Sequence, residues 1–402
     1  MKIIIVDKFE AWGVEQLKGL ASELAIETEL KGDALKDRIA AFDPDVLVVR
    51  STKIPESIIT ACKKLLLIVR AGSGVDNIDM PAASKRGIMV SNCPGMNAAS
   101  VAELTIGLMV SIDRRIADNV ADLRQRKWGK IKYSKAGYGF KGRTLGIIGA
   151  GAIGTEVARK ALAFDMNVLY YHLGRQRRLA DNPNCRRAEL DELLKTSDVV
   201  TIHVPGGGST KNLIDERRLA MMKKTALLIN TSRGDVIDEP AMLKALKEGK
   251  LRGAAVDVFH NEPAANAETF DTPCADVLNL YGTHHIGAST EQAQMAVAEE
   301  TVRIVTHYKQ TGQAINCVNM QKPRTGCMMV VRFHNKPGGL AHVFNEIAEA
   351  GINAEEMDHL VYDGGVAAVA HIRIDKEPSK DVVERIRTGH PNVIGVDVMN
   401  VD

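Results

Sequence analysis

The stretch LGIIGAGAIGTEVARKA, residues 145–161, decides the fold of this 402-residue chain. A short apolar run ends at Gly149, Gly151 and Gly154 complete the pattern G-x-G-x-x-G, and a segment of helical periodicity follows. The first glycine permits a tight turn, the second lets a pyrophosphate approach the backbone, and the third lets helix and strand pack closely. A strand, these glycines and a helix in this order predict a dinucleotide site.

Short apolar runs alternate with longer helix-period segments on both sides of this stretch, as in parallel sheets covered by helices. The first series of predicted strands is IIIV (3–6), VLVV (46–49), LLLIV (65–69) and IMV (88–90). The second series is TLGIIGAG (144–151), NVLYYH (167–172), DVVTIHV (198–204), TALLIN (225–230), GAAVDVF (253–259) and VLNL (277–280). The predicted fold class is α/β, with two doubly wound parallel sheets.

The C-terminal part of the chain has a different rhythm. Residues 318–327, VNMQKPRTGC, are polar with Pro and Gly close together and are typical of a linker. After them the apolar pattern follows the order strand, helix, two strands, helix, strand. This order predicts a small α+β module of ferredoxin-like type.

Composition narrows the function classes. A net charge of +2 with 25% charged residues disfavours a polyanion-binding surface, so nucleic acid is not the expected partner. The six cysteines form no C-x-x-C pair, which predicts neither a metal site nor a disulfide framework. No apolar run reaches the ~20 residues of a membrane span or resembles a signal segment, so we expect a cytoplasmic protein with no membrane partner.

The choice of cofactor stays open between NAD and NADP. An acidic residue that holds the adenosine ribose is expected at the end of the second strand, but His172 stands there. Arg175, Arg177 and Arg178 come just after it, and arginines can accommodate a 2′-phosphate that a carboxylate would repel.

Three segments that follow predicted strands carry the residues for chemistry. Arg233, Glu262 and one of the adjacent His284 and His285 follow the last three strands of the second series. The carboxyl ends of parallel strands meet at one crevice, so we expect these side chains to converge there. Arginine binds a carboxylate as a planar fork, histidine exchanges protons near neutral pH, and a nearby carboxylate stabilises the protonated ring.

Residues 1 to about 318 resemble the D-isomer-specific 2-hydroxyacid dehydrogenases, through RAGSGVDNID, GAGAIG, HVP, INTSRGDVID, DVFHNEP and HHIGAST. The family's H-x-G-x-x-T motif implies that His285 is the acid/base, with Arg233 and Glu262 as its partners, while His284 replaces a usual proline. The resemblance further implies a set of residues that contact the nicotinamide cofactor: Gly149, Gly151, Ala152, Ile153, Gly154, His172, Arg175, His203, Pro205, Thr231, Asp257 and Gly287.

The same resemblance implies a domain organisation. A flavodoxin-like substrate domain spans residues 1–96 and 288–318, a Rossmann domain spans 97–287, a linker spans 319–326, and an ACT regulatory domain spans 327–402. The backbone N–H groups of Ser73 and Gly74 are expected to bind the carboxylate of a small 2-hydroxy acid. Arg50, Lys53 and Arg70 are candidates to hold a phosphate on that substrate.

An ACT module behind such a dehydrogenase implies oxidation of 3-phosphoglycerate to 3-phosphohydroxypyruvate in L-serine biosynthesis, by a homo-oligomer (dimer or tetramer). Asn335 and Asn353 are the candidate contacts for an L-serine effector. Two other functions are retained: an NADPH-linked glyoxylate or hydroxypyruvate reductase, which the basic stretch after His172 favours, and a non-catalytic nucleotide-sensing scaffold.

Overall fold

A computed structural model describes residues 1–172, 177–263, 267–321 and 326–401 of the chain. The chain divides into two compact units, Met1–Asn319 and Met320–Asp402. The first unit contains two parallel sheets and the second contains one antiparallel sheet. The predicted fold class, α/β followed by a small α+β module, is therefore confirmed.

The first parallel sheet has the strand order β2-β1-β3-β4-β5, the flavodoxin-like order. Its strands are β1 (Lys2–Ile5), β2 (Glu23–Ile26), β3 (Val46–Val49), β4 (Leu67–Arg70) and β5 (Met89–Asn92). Its connecting helices are α1 (Ala11–Leu20), α2 (Gly32–Phe42), α3 (Glu56–Ala61) and α4 (Met80–Lys85). Four strands match predicted runs, whereas β2 was not predicted.

The second parallel sheet has seven strands in the order β12-β11-β10-β9-β6-β7-β8. They are β6 (Thr144–Ile148), β7 (Asn167–Tyr171), β8 (Cys185–Arg187), β9 (Val199–Ile202), β10 (Leu227–Asn230), β11 (Gly253–Val256) and β12 (Leu280–Gly282). Successive strands are added on one side of β6 as far as β8 and then on its other side from β9 to β12. The ligand crevice of a Rossmann fold opens at this switch point, between β6 and β9.

Eight helices of the described chain accompany this second sheet, and a ninth, α13 (Glu291–Thr311), follows it. The eight are α5 (Ala98–Arg114), α6 (Ile116–Arg124), α7 (Lys130–Ser134), α8 (Ala152–Leu162), α9 (Arg177–Ala180), α10 (Leu190–Thr196), α11 (Glu216–Met221) and α12 (Glu239–Lys247). The prediction of a strand at 277–280 was wrong. A 3₁₀ turn at Pro273–Asp276 and a bond from Leu280 N–H to the Val277 carbonyl delay the strand to Leu280.

Helix α13 returns the chain to the first sheet. Ile304 and Val305 of α13 are buried in the same core as Ile3 and Ile5 of β1. Ser91 of β5 forms an antiparallel bridge with Cys317, beyond the helix. The first sheet is thus completed by residues from both ends of the first unit.

The second unit is an antiparallel sheet in the order β14-β15-β13-β16. Its elements are β13 (Gly326–His334), α14 (Gly339–Glu349), β14 (Ala354–Val361), β15 (Ala367–Ile374), α15 (Lys380–Thr388) and β16 (Val393–Val401). Their order along the chain is that of a ferredoxin-like fold. Among the described residues, no helix of either unit is long and apolar enough to cross a membrane.

Candidate active site

A cavity of about 1030 Å³ lies in the first unit, between loops of the two parallel sheets. Arg50, Arg70 and Gly74 line it from the first sheet. Arg233, Glu262, His284 and His285 line it from the second. The structure therefore brings the predicted trio together with all three predicted phosphate ligands, since Lys53 also lines this cavity.

His285 and Glu262 form the central pair of the site. His285 Nδ1 lies 2.7 Å from Glu262 Oε2, and Glu262 Oε1 accepts the Phe259 N–H at 3.1 Å. Burial opposes ionisation of Glu262, but the hydrogen bond and the charge of His285 outweigh it and lower the pKa of this carboxyl. The ionised carboxylate fixes Nδ1 as the donor, so Nε2 is the atom that can accept a substrate proton.

Asp257 shapes the loop that carries His285. Its carboxylate, 1% exposed, accepts hydrogen bonds from Thr283 Oγ1 at 2.6 Å, Ile286 N at 2.9 Å and Gly287 N at 2.8 Å. His285 itself has a left-handed φ of 52°, and its N–H donates to the Asp257 carbonyl. A non-glycine residue holds this conformation only where its surroundings impose it. Asp257 was predicted as a cofactor contact, and its carboxylate orients the loop that carries His285.

Arg233 is held at the other side of the cavity. Its Nε donates to Asp76 Oδ2 at 2.9 Å, and its Nη1 donates to the Ser232 carbonyl at 2.7 Å. Its Nη2 lies over Gly74, where a Cβ would come within 2.2 Å of it. A side chain at position 74 would therefore displace the guanidinium from its present place. Sequence reasoning missed Asp76, although it lies in the same motif, RAGSGVDNID, as Gly74.

Arg70 supplies a second, more deeply buried cation. Burial, followed by repulsion from Arg233, lowers its pKa to about 10. Its buried Nε has no hydrogen-bond partner among the described residues. A buried guanidinium with an unused donor is stabilised by an anion, so the cavity is suited to a negatively charged ligand.

Two other predicted substrate residues have different surroundings. Arg50 Nη1 lies 3.5 Å from Gln294 Oε1, which α13 contributes to the cavity wall. The Ser73 hydroxyl donates to Asn97 Oδ1 at 2.8 Å and so ties its loop to the residue before α5.

The three glycines of residues 149–154 differ in what surrounds them. At Gly149, with φ of +94°, a Cβ would lie 2.4 Å from the His203 carbonyl. At Gly154 it would lie 2.2 Å from the Gly149 carbonyl, whereas at Gly151 it would meet nothing within 4 Å. Gly151 and Ala152 line a second cavity of about 450 Å³ at the start of α8. An open cradle at a helix N-terminus fits a dinucleotide pyrophosphate.

The remaining predicted cofactor residues lie in α8 and around the ends of β7, β9 and β10. Burial lowers the pKa of His203 to about 3, and its Nε2 pairs with Thr201 Oγ1 at 3.0 Å, so the ring is neutral. The Thr231 hydroxyl lies 2.9 Å from that of Thr105. Pro205 accepts a bond from Thr210 Oγ1, and Ile153 packs against the core of the second sheet. His172 directly follows β7, and Arg175 lies outside the described residues.

The two candidate effector residues lie at opposite ends of the antiparallel sheet. Asn335 follows β13, next to the start of β15, and its Nδ2 donates to the Gly365 carbonyl at 2.9 Å. Asn353 precedes β14, next to the end of β15, and its N–H donates to Asp375 Oδ1 at 2.9 Å. Within one module they cannot both contact one small amino acid, so a shared effector requires two modules.

A Rossmann sheet with an open glycine cradle, beside a carboxylate-held histidine and an arginine, defines a nicotinamide-dependent dehydrogenase. Residues 106–287 match the family model described as D-isomer specific 2-hydroxyacid dehydrogenase, NAD binding domain.

Known proteins extend the match to the whole chain. D-3-phosphoglycerate dehydrogenase of Methanocaldococcus jannaschii is 36% identical over 91% of this chain and 68% of its own length. That of Dictyostelium discoideum is 33% identical over 99% of this chain and 97% of its own length. An acyclic imino acid reductase solved with NADPH and D-Arg is 25% identical, with a TM-score of 0.71 over 79% of this chain and 100% of its own. The chain belongs to the D-isomer specific 2-hydroxyacid dehydrogenase family and is an oxidoreductase.

Proposed function

We propose that this chain oxidises 3-phosphoglycerate to 3-phosphohydroxypyruvate with NAD, in L-serine biosynthesis; the similar proteins are named D-3-phosphoglycerate dehydrogenase. One observation carries the proposal. The cavity that holds His285 and Arg233 also holds Arg50, Lys53 and Arg70. A substrate with a carboxylate and a phosphate needs cations for both groups, whereas a simple 2-hydroxy acid needs only one set.

The chemistry follows from the atoms that face the cavity. Arg233 binds the substrate carboxylate and orients the carbon that carries the hydroxyl group. His285 Nε2 accepts the hydroxyl proton, and Glu262 stabilises the imidazolium that forms. The nicotinamide, when bound, supplies the hydride acceptor. Gly151, at the start of α8, would hold its pyrophosphate, and Gly149 and Gly154 allow the turn and the close helix packing that form this site.

NADP is the alternative cofactor to NAD. No fixed negative charge stands at position 172 to repel a 2′-phosphate, because His172 replaces the expected acid. The same feature favours a second candidate function, an NADPH-linked glyoxylate or hydroxypyruvate reductase. The cations Arg50 and Lys53 argue against it, since those substrates carry no phosphate.

The deciding experiment is a set of initial-rate measurements with 3-phosphoglycerate against NAD and NADP in parallel, and with glyoxylate and NADPH. Turnover of 3-phosphoglycerate at the highest kcat/KM supports the proposal. A preference for glyoxylate reduction would favour the reductase. Absence of turnover with every combination of substrate and cofactor would favour the non-catalytic nucleotide-sensing scaffold.

We further propose a cytoplasmic homo-oligomer, a dimer or a tetramer. The segment that contains α6 and α7 exposes three large apolar residues, Leu123, Trp128 and Ile131, with relative exposures of 59%, 82% and 79%. Monomeric proteins rarely expose apolar patches of this kind, so a second copy is a suitable cover for it.

L-serine is the proposed effector, bound between paired C-terminal modules. Asn335 of one module and Asn353 of the other would supply amide groups that accept from an ammonium and donate to a carboxylate. The test is titration of L-serine into a steady-state assay of the intact chain and of the Asn335→Ala variant. Inhibition that is equal in the two, or absent from both, would contradict a serine site at these residues.

A further inference from the structure

A single carboxylate, that of Asp7, organises one wall of the cavity from behind. Asp7 directly follows the apolar run of β1, and its side chain is only 14% exposed. Its Oδ2 accepts the backbone N–H groups of Arg50, Ser51 and Thr52 at 2.7, 2.9 and 3.1 Å. Its Oδ1 accepts the Thr52 hydroxyl at 2.8 Å. Four hydrogen bonds therefore connect Asp7 to residues 50–53, which we call the anion loop.

Three successive N–H groups directed at one anion form a backbone nest. In this loop the nest is filled by Asp7, so its N–H groups cannot bind a ligand anion. The side chains are left for that task, and Arg50, Ser51 and Lys53 all line the cavity. Asp7 itself does not line the cavity, so it acts through the loop.

Two neighbours support the same arrangement. Lys31 Nζ donates to Thr52 Oγ1 at 2.8 Å and lies 3.9 Å from Asp7 Oδ1. On the cavity side, Gln294 Oε1 lies 3.5 Å from Arg50 Nη1. Without the Asp7 carboxylate, three N–H dipoles of like orientation would repel one another, and the loop would relax to another conformation. Arg50 and Lys53 would move with it.

We propose that Asp7 is a positioning residue that sets the preference for a substrate with a second, distal anionic group. The inference rests on the proposed function, because it takes that group to be the phosphate of 3-phosphoglycerate. His285 and Glu262, which move and stabilise the proton in the chemical step, are held by loops of the second sheet, and the hydrogen bonds of the described residues do not connect them to Asp7. Asp7 therefore controls recognition of the phosphate and leaves the chemical step alone.

The test is the Asp7→Asn variant of the full-length enzyme, because an amide cannot accept all four bonds. Its steady-state kinetics are measured with 3-phosphoglycerate and with D-glycerate, which lacks the phosphate. We expect KM for 3-phosphoglycerate to rise about 10- to 100-fold, the loss that corresponds to one weakened charge-assisted hydrogen bond to the phosphate. We expect kcat, KM for NAD, and kcat/KM for D-glycerate to change by less than about two-fold.

Asp43→Asn is the matched control. Asp43 Oδ1 accepts the successive N–H groups of Lys63 and Lys64 at 2.8 and 3.0 Å. It precedes β3, whereas the anion loop follows β3, so the two carboxylates lie at opposite ends of one strand. This control should lower stability without changing the preference between the two substrates.

Two further variants keep the inference testable if Asp7→Asn folds poorly. Thr52→Val removes one of the four bonds, together with the bond from Lys31, and should give a smaller rise in KM, of about three-fold, for 3-phosphoglycerate alone. In a background that carries Arg50→Gln and Lys53→Gln, Asp7→Asn should add less than about two-fold, because the side chains it positions are gone.

The outcomes separate the two claims. A wild-type enzyme that does not discriminate between 3-phosphoglycerate and D-glycerate would refute the proposed substrate. The other case is a wild-type enzyme that prefers 3-phosphoglycerate to D-glycerate. If Asp7→Asn then keeps the same preference, or loses activity equally on both substrates, only the role of Asp7 is refuted.

Discussion

Alanine at Gly151 and at Gly154 should produce opposite phenotypes, although both glycines belong to one motif. A methyl group at Gly151 meets no protein atom within 4 Å and points to open space at the start of α8. The backbone there is extended, with φ of −71° and ψ of −156°, so alanine need not adopt a left-handed conformation. A methyl group at Gly154 meets the Gly149 carbonyl at 2.2 Å.

The structure sets the size of each effect. Ordinary van der Waals contact begins at 3.4 Å, so Gly154→Ala requires α8 and the Gly149 turn to separate by about 1.2 Å. Overpacking of this kind costs about 1–3 kcal/mol, which lowers Tm by about 2–12 °C in a domain of this size. Gly151→Ala should leave Tm unchanged, but its methyl group would occupy the pyrophosphate cradle. The same 1–3 kcal/mol then appears as a rise of about 5- to 150-fold in the KM for NAD.

Thermal unfolding followed by circular dichroism gives the first quantity, and NAD titration in the steady-state assay gives the second. Equal losses of Tm in the two variants would show that Gly151 is needed for packing. Unchanged NAD affinity in Gly151→Ala would show that the pyrophosphate does not bind at this turn.

Four other predictions follow from the site. His285→Ala should lower kcat by about 10²–10⁴-fold with NAD affinity unchanged, whereas His284→Ala should cost far less; reversed results would exclude His285 as the base. His172→Asp should shift the ratio of kcat/KM values from NADP toward NAD, and a constant ratio would contradict this role. Glu262 has a lowered pKa, so its carboxylate stays ionised until the pH falls through that value. Glu262→Gln removes the negative charge that stabilises protonated His285. The acid limb of the kcat/KM profile for oxidation should therefore move to lower pH. L-serine should slow turnover of the intact chain, through a coupling of about 1–3 kcal/mol, and Asn335→Ala should remove that inhibition.

Strands buried on both faces were predictable from the sequence, and exposed or short strands were not. VLVV at 46–49 coincides with β3, whose four residues are all buried. In β2, ELAI, only Ala25 is buried. The strand therefore has no apolar run that would separate it from the preceding helix in the sequence. β8 has three residues, two of them exposed arginines, and carries almost no hydrophobic signal.

The residues of the site also differ in whether the sequence predicts their roles. Glu262 and His285 could be assigned because they occupy recognisable motifs at the ends of strands. The ion pair between Arg233 and Asp76 could not, because it joins residues 157 positions apart, on loops of different sheets. Asp7 has a weak signal, an acidic residue directly after a buried strand, but its role depends on a loop more than 40 residues away.

The return of α13 to the first sheet determines the order in which the protein can fold during synthesis. Residues 144–282 contain all seven strands of the second sheet, so this sheet can form as soon as they leave the ribosome. The first five strands emerge earlier, yet the apolar face with Ile3 and Ile5 is covered only in part, by Leu17 of α1, until Ile304 and Val305 arrive. Chains are made at about 5–20 residues per second, so this face stays incompletely covered for at least about ten seconds. During that interval the earliest part of the chain is the part most exposed to aggregation and most in need of a chaperone.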